Sequence, residues 1–202
     1  IRNLPLSIPF KGDADVQGEC LMRLSALEEY NKTAAEPLKN ARNAAAGALR
    51  NLDPAVTASR KLTAYLYSVG YIDGGSIRDE SGVFEFLREN RLPTLGVLGI
   101  FEDFDSLWAA IEQAEEERGT LDYLIDGLVV KICDFRPREA LGYTDKSPRW
   151  AMAYKFAAEE MTSKILRIDW EVGRTGKLTP VATLEPVDIG GVTVKRATLN
   201  NM

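Results

Sequence analysis

The sequence predicts an α+β arrangement through about residue 160, followed by a β-rich second region, and three observations carry that reading. Two apolar runs, LIDGLVVKI and RWAMAYKF, have the β-branched and aromatic content of strands, and each has one lysine embedded in it. Amphipathic helical patterns occupy 79–90 and 105–119, between strand-like segments. From Ile165 onward the patterning is that of strands alone, punctuated by Gly and Pro.

Each element has a local reason. ADVQGECLM (14–22) alternates as a strand, with Val16, Gly18, Cys20 and Met22 on one side. Ser25-Ala-Leu-Glu28 has capping-box spacing and predicts a helix through about Ala35, ended by Pro37 and Asn40. ARNAAAGALRNLDP (41–54) reads as a short Ala-rich helix stopped before Pro54. LTAYLYSVG (62–70) is a strand and YIDGGS a loop. In DSLWAAIEQAEEERG, apolar residues at 107, 108, 111 and 114 form a stripe, the glutamates form a solvated face, and Gly119 suits the C′ position. PREALG predicts a one-turn helix with Pro137 near N1. ILRIDWEV, a GRTG turn, KLTPVATLEPV and GGVTVKRATL follow as strands, with Pro180 and Pro186 marking edges or bends. This last region is too short to close a barrel by itself.

Composition narrows the class. With 45% hydrophobic and 27% charged residues the chain is of the ordinary globular type, and no apolar run approaches the ~20 residues of a membrane span. The N-terminus lacks the basic-then-apolar layout of a signal peptide and does not begin with Met, so Ile1 and Met202 read as internal residues of a longer protein. The chain has two cysteines, Cys20 and Cys133, outside any CxxC, and no histidine, which removes cysteine/histidine zinc sites and predicts two reduced, partly buried thiols in a cytoplasmic setting. The net charge of −5 is unevenly spread. Residues 1–130 carry 13 basic and 21 acidic groups, residues 131–202 carry 12 and 9, and segment 101–126 alone holds nine acids and one base, Arg118. A phosphate contact needs only a local basic face, so nucleic acid is compatible with this balance.

The lysines point to chemistry. Lysine is rarely buried without a partner, and Lys131 and Lys155, in neighbouring apolar strands, predict a cleft that needs positive charge, most simply for a phosphate. Asp126 and Lys131 are five apart, so alternation places them on opposite faces unless the strand entry at Gly127 reorients the acid. Glu19 could accept from a ribose hydroxyl. Arg42 and Arg50, eight apart on one helix and separated by small residues, suit a phosphodiester backbone. Plainer readings stand beside these: lysines that snorkel from a surface strand, arginines that are ordinary helix charges, a Glu19 that pairs with an arginine, and an Asp-Gly that is only a turn. GRTG reads as a hairpin turn rather than a phosphate cradle, because no helix follows it.

Taken in order, QGE, ARNAAAGALRNLDP, IDGLVVKI, LGYTDKSPRWAMAYKF and EVGRTGKLTPVATLEPV…GGVTVKRATL resemble the bacterial NAD-dependent DNA ligases from Ile1 to Met202. The long Arg/Ala block separates this family from ATP-dependent ligases and capping enzymes. The resemblance implies a nucleotidyltransferase (ATP-grasp-like) adenylation domain, of which 1–160 would be the C-terminal part, and the opening strands of an incomplete OB-fold barrel at 161–202. It implies an enzyme of replication and repair that takes AMP from NAD onto a lysine, passes it to a 5′-phosphate and seals the nick, with Mg2+ or Mn2+ neutralising phosphates. Its partners would be NAD and nicked duplex DNA, its state monomeric, and zinc would belong to a C-terminal part beyond these residues.

The same resemblance assigns roles. Glu19 matches the motif III acid expected at the adenylate ribose. Asp126 and Lys131 match motif IV, the acid as a catalytic and metal-binding candidate and the lysine as a nucleotide contact. Lys155 matches the motif V lysine expected on the α-phosphate, where it would stabilise growing charge. Arg42, Arg50, Arg118 and Arg149 match basic positions near DNA phosphates or the nucleotide. The departures are specific. The family nucleophile is the lysine of KxDG, whereas this chain has IDG at 72–74 and 125–127 and no KxDG, so the fragment alone is expected to be inactive. QGE stands for RGE, Ala41 for Pro, Leu124 for an acid, and ATLNN for ATLHN, which leaves Asn200 without an assigned role. The alternatives are a degenerate nucleotide- or DNA-binding module of ligase ancestry and an adenylyltransferase acting on RNA or protein.

Overall fold

The computed structural model describes residues 1–157, 160–189 and 192–200. Its contacts divide into two compact units, Ile1–Phe156 and Ala157–Met202. The first contains two two-stranded antiparallel sheets with helices between and around them; the second contains a three-stranded antiparallel sheet.

In the first unit, β1 (Ala14–Leu21) pairs with β2 (Thr63–Ile72). Two cores form beneath this sheet. In one, Met22 and Leu62 pack on Ala26 of α1 (Leu24–Asn31) and on Ala41, Ala44, Ala45 and Ala48 of α2 (Ala41–Leu49). Alanines spaced three and four apart give α2 a smooth face that lets its backbone approach the sheet closely. In the other, Leu66 and Val69 pack on Val83, Phe86 and Leu87 of α4 (Glu80–Glu89).

Several local expectations give way to tertiary ones. No capping box forms at Ser25. Arg23 is the N-cap residue and offers no side-chain bond, and the helix ends at Asn31 instead of Ala35. Asp122, 97 residues away, caps α1 instead: its carboxylate accepts from the Ser25 amide (2.7 Å) and hydroxyl (2.6 Å), and its carbonyl from the Leu24 amide (2.8 Å). Those bonds hold the Asp122 carboxyl below its ordinary pKa. The Asn31 side chain then closes the loop to Leu38 with two 2.8 Å bonds. After α2, Pro54 begins a further helix, α3 (Pro54–Ser59), under an Asp53 cap that the sequence reading passed over. The strand β2 also runs through Tyr71 and Ile72, two residues read as loop.

Helix α5 (Phe104–Glu117) is capped by Asp103; of its stripe only Ile111 is buried, and Gly119 lies inside a 3-10 turn (Arg118–Thr120) rather than at a left-handed C′. The second sheet pairs β3 (Gly127–Lys131) with β4 (Ala151–Lys155). Between them α6 (Phe135–Leu141) starts two residues before Pro137, under an Asp134 cap, so the proline sits at the third helical position and not near N1.

The second unit orders β5 (Ile165–Val172), β6 (Leu178–Ile189) and β7 (Val192–Thr198) with β6 in the middle. Pro180 faces Trp170 of β5 before the β7 pairing begins at Val181, and Pro186 falls in the register shift between Thr183 and Val187. Pro186 thus avoids a ladder position that would demand its missing N–H, and Pro180, just before that pairing, keeps only the acceptor side: its carbonyl takes the Leu199 amide at 2.9 Å. GRTG is the hairpin turn, with Gly176 at φ +80°.

Candidate functional site

Two glycines set the site by letting strands come together. A Cβ on Gly18 would press into the Tyr65 carbonyl and stand 2.6 Å from Leu66 Cδ2. One on Gly127 would overlap the Tyr154 carbonyl and stand 2.8 Å from Lys155 Cα. Each glycine is next to a candidate acid: Glu19 follows Gly18 and Asp126 precedes Gly127.

Strand β3 begins at Gly127, so Asp126 lies at the strand entry and strict alternation does not govern its direction. Its carboxylate is engaged by Arg42 of α2, which ties the Ala-rich helix to the head of β3. The register sets Gly127 opposite Lys155 and Lys131 opposite Ala151. Opposed residues share a face, and so do alternate residues along a strand; Lys131 and Lys155 therefore lie on one face, at its two ends, about 13 Å apart along the strands. Tyr154 takes the opposite face, where Trp108 of α5 packs on it edge-to-face at 5.5 Å.

The two ends differ. Lys131 is largely buried, with its Nζ 3.5 Å from Glu80 Oε1 and 5.8 Å from the Tyr67 ring centre. Lys155 is exposed, and among the described residues no hydrogen bond or ion pair engages it. The same holds for Glu19, so its reading as an arginine's partner is not what the structure has. Glu19 is opposite Tyr65, whose ring meets Tyr123 at 6.2 Å.

Tyr67 was missed by sequence reasoning. Gln17 pairs with Ser68 and Gly18 with Leu66, so Tyr67 is the unpaired residue of a β-bulge. The bulge restarts the alternation: Ala64, Leu66 and Val69 all point into the core, while Tyr67 remains 44% exposed beside Lys131. No local sequence signal marks a bulge in AYLYSVG, since it arises from pairing with β1. Also unforeseen are Glu80 and Arg138, both buried.

Of the other arginines, Arg50 is the exposed C-cap of α2, Arg118 sits 5.7 Å over the Phe156 ring, and Arg149 is exposed in the turn entering β4. Cys20 and Cys133 are free and half-buried, and burial pushes the Cys20 thiol up. Among the described residues no cluster of three acids or thiols could hold a metal ion, and Asp126 already has a cation in Arg42. The donor set does not make a preformed divalent-cation site. What the unit offers is an exposed ring with a cation beside it, an unengaged carboxylate on β1 and an unengaged ammonium at the other end of the β3–β4 face. No helix among the described residues is long and apolar enough to cross a membrane.

Residues 1–159 match the family described as NAD-dependent DNA ligase adenylation domain, and residues 162–202 match NAD-dependent DNA ligase OB-fold domain. Proteins named DNA ligase from Alkaliphilus oremlandii and Alkaliphilus metalliredigens are 56% and 54% identical over 201 residues, and one from Finegoldia magna is 50% identical over 202. Each covers 100% of this chain, and the chain spans 30% of the length of each relative. The chain belongs to the NAD-dependent DNA ligase family.

Proposed function

We propose that this chain supplies nucleotide-binding and DNA-contact residues to an enzyme that seals nicks in duplex DNA through lysine-adenylate and DNA-adenylate intermediates, with NAD as the source of the adenylyl group. The observation that carries this reading is the shared face of Lys131 and Lys155 with the bulged Tyr67 beside one end. The base stacks on Tyr67, next to Lys131. Glu19, on the strand paired with β2, accepts from the ribose. Lys155, at the far end, meets the α-phosphate and stabilises charge as it grows there. Arg42 and Arg50 on the exposed side of α2, with Arg118 and Arg149, serve DNA phosphates. Asp126 acts through its pairing with Arg42; a divalent ion would be held chiefly by nucleotide phosphates, as magnesium commonly is.

On this reading 1–160 is the C-terminal part of an ATP-grasp-like adenylation domain and 161–202 opens an incomplete OB barrel. The enzyme is a cytoplasmic monomer of replication and repair. The chain has no KxDG lysine and is inactive by itself. The test is intact-mass spectrometry. The 202-residue chain, incubated with NAD and magnesium, keeps its mass, whereas the natural polypeptide containing it gains AMP and seals a nicked duplex. Uptake of AMP by the 202-residue chain would make one of the lysines assigned to binding the nucleophile. A natural polypeptide that binds DNA but neither takes up AMP nor seals would be a non-catalytic module.

A further inference from the structure

The first turn of α4 is stitched to the segment that follows β3. The Glu80 amide donates to the Cys133 carbonyl (3.2 Å), the Phe135 amide donates to the Arg78 carbonyl (2.9 Å), and Asp79 bridges to Asp134. These bonds hold Glu80 beneath the distal end of β3. Its carboxylate is buried there, with the side chain 11% exposed, and one oxygen, Oε1, faces two cations: Arg138 Nη2 at 2.7 Å and Lys131 Nζ at 3.5 Å.

Arg138 is the more tightly held of the two. Its side chain is 9% exposed, its Nε donates to the Ile132 carbonyl at 2.6 Å, and its guanidinium lies between the rings of Phe135 (4.4 Å) and Trp150 (4.3 Å). An arginine fixed on four sides presents a rigid fork, and its near-complete burial requires a counter-charge, which is Glu80. Glu80 and Arg138 neutralise each other, so the cluster carries one net positive charge, located at Lys131. Lys131 has three donors and, among the described residues, only a long contact to Glu80 to use one, with the Tyr67 ring alongside.

We propose that Glu80 and Arg138 are positioning residues for Lys131. Arg138 fixes the Glu80 carboxylate, and the carboxylate holds the Lys131 ammonium beside Tyr67 with donors left over for a nucleotide. Without the carboxylate the two cations would lie within about 6 Å of each other with nothing between them, and Lys131 would swing away from the ring. The proposal rests on the reading of Lys131 as a nucleotide contact.

The experiment is titration calorimetry of AMP into the natural polypeptide containing this chain, with melting temperature recorded for every variant. Lys131→Met is expected to weaken AMP binding by about 10- to 100-fold. Glu80→Gln, which keeps the shape and removes the charge, is expected to weaken it by roughly fivefold, and to add nothing further in the Lys131→Met background. Because a lone buried Arg138 can destabilise the fold, Glu80→Gln/Arg138→Met removes both charges. It should melt near wild type and still bind AMP as weakly as Glu80→Gln. Wild-type binding by that double variant, or additive losses from Glu80→Gln and Lys131→Met, would reduce the pair to a structural bridge and overturn the proposal alone. Wild-type binding by Lys131→Met would overturn the reading of Lys131 and this proposal with it.

Discussion

The two ends of the β3–β4 face carry the same residue type in opposite circumstances. Lys131 is largely buried, tethered to Glu80 and set against Tyr67, whereas Lys155 is exposed and, among the described residues, unengaged. A held cation offers a fixed direction, which suits recognition of a rigid group such as a base. A free cation can follow charge as it shifts between ground and transition state, which suits a reacting phosphate. The contrast teaches that strand context alone does not decide what a lysine does; the elements packed against it do.

Four experiments break or sharpen that contrast. The largest expected effect is at the free end: Lys155→Ala in the natural polypeptide should slow adenylate transfer by about 10²–10³-fold with an unchanged melting temperature. Normal single-turnover rates would remove Lys155 from the reacting phosphate. Next is the glycine that makes the face possible. Gly127→Ala should destabilise unit 1 by about 3 kcal/mol, because the new methyl meets backbone on β4 that cannot retreat. Gly47 on α2 is the control: nothing lies within 4 Å of its virtual Cβ, so Gly47→Ala should stabilise by about 0.5–1 kcal/mol in urea unfolding. A loss of DNA affinity in that stabilised variant would locate the nucleic acid on the α2 backbone.

A smaller effect is expected where α2 meets the head of β3. Arg42→Ala should weaken binding to a nicked duplex a few-fold and lower the salt dependence by about one counterion, with self-adenylation largely spared. Loss of self-adenylation would mean that the Arg42–Asp126 pair belongs to the nucleotide end. The mildest expectation concerns acid. Asp122 has its carboxyl pKa lowered by the bonds from Ser25, so its contribution is complete above the unfolded carboxylate pKa of about 4 and fades as pH falls through the lower folded value. Asp122→Asn should flatten that part of the pH–stability curve measured by helical circular dichroism; an unchanged slope would assign acid sensitivity elsewhere.

Much of the architecture was legible locally. Asp79 and Asp103 cap the helices expected after them, the strands around both lysines form where apolar content places them, and GRTG is a turn because nothing after it is helical. The misses share a cause. The Ser25 box lost to Asp122, 97 residues away, whose carboxylate takes both the Ser25 amide and the hydroxyl that the box would have used as its acceptor. The Tyr67 bulge exists only because β1 and β2 pair out of step. Glu80 and Arg138 look like ordinary surface charges on their own helices and become buried only when α4 and α6 close around the end of β3.

By itself the sequence determined the order of the strands and of every α-helix but α3, the lysine-bearing strands and the glycines beside Glu19 and Asp126, because these depend on side-chain size, period and capping within a few residues. Only the tertiary structure decided that Lys131 is clamped while Lys155 is free, that Arg42 meets Asp126, and that Tyr67 turns outward. Each of those outcomes depends on groups distant in the chain competing for one position, and local propensity carries no information about which partner arrives.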